Sequence, residues 1–124
     1  MIKKVFIFVL FFNFSNAFAS EYVTNFTKEA FEQAQNNGKT VVVYSWNKYC
    51  FTCAKQKPIL KQAKKEFEDV LFLYIEHTKN KNLLKGLNIN HWSTIAVYKE
   101  NQQIAKGVGI VKKDEIYSLI EKGI

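Results

Sequence analysis

Arginine is absent from this 124-residue chain: all 18 basic residues are lysine. The planar fork that reads guanine or clamps phosphate in two places is therefore missing. The lysines are spread along the chain, as at Lys55, Lys57, Lys61, Lys64 and Lys65, and read as a solvated helix face rather than a nucleic-acid patch. A net charge of +7 leaves room for a mild attraction to anionic membrane surfaces or acidic partners. Proline occurs once, at Pro58, and no repeat, low-complexity tract or Pro/Gly/Ser-rich linker breaks the chain, so one domain is expected. Two cysteines are too few for a disulfide-stapled miniprotein. The longest apolar run, Val5 to Phe12, is shorter than the roughly 17–25 residues that span a bilayer.

That run has a different reading. Lys3 and Lys4 precede it, and Ala17-Phe18-Ala19 follows with a small-x-small cleavage pattern. Residues 1–19 are expected to be an export signal cleaved near Ala19, the alternative being a retained anchor. The mature domain would be residues 20–124 with charge +5, placed in the periplasm or otherwise exported.

Helix and strand signals alternate through the rest. Thr27 can cap a helix to Gln35 with Phe26, Ala30, Phe31 and Ala34 on one face, ended by Asn36-Asn37-Gly38. Thr40 to Trp46 is almost continuously apolar, as a doubly covered central strand reads. A helix from about Cys50 to Glu68 turns Ile59, Leu60, Ala63 and Phe67 inward and contains Pro58, where a kink is expected. Val70 to Glu76 reads as a second buried strand and Asn82 to Gly86 as a short helix. A hairpin of Thr94–Tyr98 and Gln103–Lys106 follows, with Gly107 and Gly109 permitting a bulge or bend. Lys112 to Lys122 closes the chain as an amphipathic helix with Ile116, Leu119 and Ile120 inward. Strand-helix-strand units imply parallel pairing and the hairpin adds antiparallel strands. The expected fold is α/β: a central mixed sheet of four to five strands with helices on both faces.

The two cysteines are spaced Cys50-Phe51-Thr52-Cys53. Such a pair can form a reversible disulfide or share a metal ion; as a staple it would close too short a loop to constrain the unfolded chain much. Cys50 follows a buried strand and opens a helix, where free N–H groups and the helix dipole favour a thiolate, the nucleophilic form. Cys50 is thus the expected nucleophile and Cys53, one turn deeper, the resolving thiol. The competing readings are a copper or zinc carrier using Cys50, Cys53 and His91, and an adaptor with an idle dithiol. A single Met and the scarcity of further ligands count against the carrier.

Trp46-Asn47-Lys48-Tyr49-Cys50-Phe51-Thr52-Cys53, with Lys55 and Pro58 after it, resembles the active-site segment of the thioredoxin family, and the order of elements matches over most of residues 22–124. The resemblance implies a thioredoxin fold and a thiol–disulfide oxidoreductase that needs no cofactor beyond a redox-active disulfide. It implies protein thiols or disulfides as partners, with a membrane electron donor behind them, no nucleic acid, and a monomer. It also implies that the loop at Trp92, Ser93 and Thr94, with Tyr49, receives substrate, and that Trp46 packs beneath the site. The chain departs from the family pattern in three places. Ser93 stands where a cis-proline is usual; a cis bond there would cost about 2.5–4 kcal/mol, so a trans or rearranged loop is expected. Tyr44 stands where the family buries a carboxylate, and a phenol is a poor base at neutral pH; Glu76 is the candidate to replace it. The Phe51-Thr52 pair lacks both the Gly-Pro of the cytosolic reductants and the His of the strong oxidants; the missing His leans toward a reductase or a mild exchanger.

Overall fold

The computed structural model describes residues 24–124; the export signal expected at 1–19 lies outside them. A four-stranded sheet runs in the order β2-β1-β3-β4. Its strands are β1 (Val41–Trp46), β2 (Leu71–Glu76), β3 (Thr94–Lys99) and β4 (Gln102–Val108). β1 pairs parallel with β2 and antiparallel with β3, and β3 pairs antiparallel with β4. Before the first helix, Asn25 bridges Tyr74 in parallel, and Thr24 and Phe26 exchange backbone hydrogen bonds with Tyr74 at 2.9 and 2.8 Å. That single bridge covers part of the open edge of β2.

The helices are α1 (Lys28–Asn36), α2 (Phe51–Glu66), α3 (Lys81–Gly86) and α4 (Lys113–Glu121). Thr27 caps α1 by accepting from the Ala30 amide at 3.1 Å. Alternation along the strands decides which helix each side chain meets. Val42, Tyr44, Phe72, Tyr74, Ile95 and Val97 pack with Leu60 and Ala63 of α2 and Ile116, Leu119 and Ile120 of α4. Val41, Val43, Leu73, Ile75, Ala96 and Tyr98 face the other way, toward Ala34 of α1 and Leu84 of α3. β1 is covered on both faces, which is why it reads as an almost continuous apolar run. α2 continues through Pro58 to Glu66, although proline withholds the amide that the Ala54 carbonyl would have accepted.

The hairpin differs in detail from the expected one. Glu100 and Asn101 both have positive φ (52° and 63°), the two-residue turn whose twist matches antiparallel strands. The register shift falls at Ile104, skipped between the pairs Val97–Ala105 and Tyr98–Gln103, rather than at the glycines. Gly109 makes the bend out of β4, with φ of 71°.

Candidate active site

β1 ends at Trp46, and Asn47 organises the loop after it. Its Oδ1 accepts from the Tyr49 amide at 2.9 Å, while its Nδ2 donates to Glu76 Oε1 and Thr78 Oγ1, both at 2.7 Å. The loop thus delivers Cys50 to the N-cap of α2. Cys50 and Cys53 are joined as a disulfide with their Cα atoms 5.2 Å apart. The Cys53 amide donates to Cys50 Sγ at 3.0 Å, so the sulfur itself is the cap acceptor. No acidic residue occupies the first turn of α2. An anionic sulfur at this position meets an aimed N–H and the positive end of the helix, both of which favour thiolate. Cys50 is partly exposed, whereas Cys53 is only 1% exposed.

Trp46 and Cys50 are both partly buried against the same core cluster, and Lys57 Nζ lies 4.0 Å from the centroid of the Trp46 ring. Tyr49 and Phe51, the residues flanking Cys50, are 73% and 89% exposed. Large apolar side chains held in water around a partly exposed sulfur form a surface suited to docking.

Tyr44 lies wholly buried beneath the pair and donates from its hydroxyl to the Cys53 carbonyl at 3.3 Å. Its ring meets Tyr74 edge to face at 5.0 Å. Burial, then the neighbouring Tyr74, pushes Tyr44 far above the ordinary phenol range; burial alone pushes Tyr74 up to about 12. Both hydroxyls stay neutral through the working range of a thiol. Glu76 is engaged elsewhere: Oε1 accepts from Asn47 and the Thr78 amide, and Oε2 from the Lys79 amide at 2.9 Å. Partial burial raises its pKa, but these hydrogen bonds outweigh that and leave it below the usual carboxylate value. The carboxylate shapes the β2–α3 loop.

Ser93 has φ of 51° and no cis peptide bond occurs among the described residues, so the bond before Ser93 is trans. The Ser93 carbonyl accepts from the Gly109 amide at 2.9 Å and from Gln56 Nε2 at 3.1 Å. Thr94, fully buried, donates from Oγ1 to the His91 carbonyl at 2.7 Å. Trp92 remains 40% exposed. His91 lines a groove of about 750 Å³ with His77, Lys81, Asn82, Lys85 and Trp92, and neither cysteine lines it. Among the described residues no three His, Cys, Asp or Glu side chains cluster to hold a metal, so His91 does not complete a site with Cys50 and Cys53.

Two residues that matter here have no signal in the sequence. Gln56 is buried and bonded to two loops. His77, just past the end of β2, is buried with Nδ1 2.8 Å from Ser45 Oγ on β1. Burial lowers its pKa, helped by Lys81 and the neighbouring His91 and opposed by Glu76.

Comparison with known proteins agrees over nearly the whole described chain. The family profile described as Thioredoxin matches residues 22–122. The chain is similar to "Thioredoxin F-type, chloroplastic" of Pisum sativum, 31% identical over 102 residues, covering 80% of this chain and 56% of the pea protein. It therefore spans just over half the length of that relative. "Thioredoxin" of Mycoplasma genitalium is 26% identical over 65% of this chain and 79% of its own. Among solved structures, Trxlp from Edwardsiella tarda EIB202 superposes with a TM-score of 0.74 at 21% identity, covering 80% of this chain and 98% of that one.

Proposed function

This chain belongs to the thioredoxin family, and we propose that it is an exported thiol–disulfide oxidoreductase acting on protein partners, in the direction of reduction. The observation that carries this reading is the asymmetry of the pair. Cys50 is a partly exposed N-cap with an amide aimed at its sulfur, and Cys53 is buried one turn below. In the reduced state the Cys50 thiolate attacks one sulfur of a partner disulfide; a Cys50–partner bond forms and the other partner sulfur leaves as a thiolate. Cys53, having lost its proton to solvent, attacks Cys50 Sγ. The Cys50–Cys53 disulfide forms, the second partner sulfur leaves, and two electrons have passed to the partner. Tyr44 supplies no base for the Cys53 proton.

Tyr49, Phe51 and Trp92 are suited to receive the partner's chain around its cysteine, with Ser93 and Thr94 setting the shape of the loop beside it. The domain would work as a monomer outside the cytosol after cleavage near Ala19. A membrane electron donor would re-reduce Cys50–Cys53, since an exported dithiol meets oxidising surroundings. Catalysed reduction of insulin by dithiothreitol tests the reading. Turnover by the wild-type chain, abolished in Cys50→Ser, is expected; a wild-type chain no faster than dithiothreitol alone ends it.

A further inference from the structure

Gln56 is a polar side chain that α2 turns into the protein rather than into water. It is fully buried one turn beyond Cys53, and its carboxamide is only partly satisfied. Nε2 donates to the Ser93 carbonyl at 3.1 Å and to the Ile110 carbonyl at 2.9 Å, while Oε1 has no partner. A buried amide oxygen without a donor is costly, and an apolar side chain of the same size would avoid that cost. What an apolar residue could not supply is the pair of donors. The carbonyls they reach lie on two loops distant in sequence, one before β3 and one before α4. The same loops are joined to each other through the Gly109 amide and the Ser93 carbonyl at 2.9 Å. Trp92, Val108 and Val111, exposed by 40, 49 and 39%, are carried on or beside these loops. A trans Ser93 at positive φ has no ring to fix its conformation, so its shape depends on what its carbonyl meets.

We propose that Gln56 is a positioning residue for partner docking: it locks both loops to the helix that carries the dithiol, and so sets the spacing between Cys50 and the surface a protein disulfide must fit. The inference rests on the oxidoreductase reading and adds to it a distinction between substrates. A protein disulfide needs the loops; a small aromatic disulfide needs only the sulfur.

The test is Gln56→Met, similar in size and without donors, with insulin and with 5,5′-dithiobis(2-nitrobenzoate) as substrates. Loss of both bonds is expected to lower kcat/KM for insulin about tenfold, mainly through KM. The rate with the small disulfide should fall by less than about threefold. Equal losses on both substrates, or no loss on insulin, overturn the inference. If Gln56→Met does not fold, the wild-type side chain decides: its Nε2 protons should exchange slowly with solvent and show proton–proton contacts to Ser93 and Ile110, and fast exchange without them overturns it. A wild-type chain inactive on insulin refutes the oxidoreductase reading itself, and this inference with it.

Discussion

Replacing Tyr44 by Phe isolates the role of the hydroxyl that occupies the place of the family's buried carboxylate. The ring, its burial and its edge-to-face contact with Tyr74 are kept; the 3.3 Å hydrogen bond to the Cys53 carbonyl is lost. One such bond contributes about 0.5–1.5 kcal/mol net, and this one is long, so the lower half of that range is expected. With a urea slope of about 1–3 kcal/mol/M for a domain of this size, the unfolding midpoint should fall by a few tenths of a molar. The catalytic consequence is sharper. Tyr44 keeps its proton far above the ordinary phenol range because it is buried beside Tyr74. It has no proton to exchange between pH 5 and 9. The pH–rate profile of insulin reduction by Tyr44→Phe should therefore overlay that of wild type, with at most a uniform scale factor. A profile that loses a limb, or shifts a midpoint by a unit or more, would show that the hydroxyl takes part in moving the Cys53 proton and would refute this account of the site.

Cys53→Ser should accumulate a mixed disulfide with insulin through Cys50, visible by mass spectrometry, whereas Cys50→Ser should form almost none because Cys53 is buried; the reverse pattern would invert the assigned roles. Ser93→Pro forces φ to about −65° where the chain has 51°, so restoring the family residue should destabilise the fold by more than about 1 kcal/mol in chemical unfolding; unchanged stability would mean that the loop rearranges freely. His77 titrates below its ordinary value of 6.5 in the folded chain, so the unfolded chain binds more protons in the interval between the two values. The stability His77 confers is thus intact above pH 6.5 and lost as pH falls through its folded pKa. Wild type should lose more stability than His77→Gln between pH 7.5 and 5.5, and parallel curves would refute the shift. Glu76, also lowered, acts in a separate window below pH 4.5.

Elements whose partners are local or periodic could be read from the sequence. β1 announces itself because both its faces are covered, Thr27 because the amide that donates to it lies three residues on, and Cys50 because strand, loop and helix follow directly. What stayed hidden depends on distant partners. Gln56 looks like any polar residue on a lysine-rich helix, since its carbonyl partners lie 37 and 54 residues away. His77 looks like a loop residue until Ser45, 32 residues earlier, is brought beside it. Glu76 looks like a free strand-end carboxylate because its neighbours' amides carry no sequence signal. The bulge settled on Ile104 rather than on the flexible glycines because the tight Glu100–Asn101 turn sets the hairpin register.

The most direct measurement is an equilibrium titration of Cys50 and Cys53 against mixtures of reduced and oxidised glutathione, read by alkylation and mass. A reversible transition at a single midpoint is predicted, with the slope of a two-electron couple, about 30 mV per tenfold change, and it should vanish in Cys50→Ser. A pair that stays fully oxidised or fully reduced across the accessible range, or that equilibrates without reversibility, would contradict the claim that these two sulfurs exchange electrons with partners.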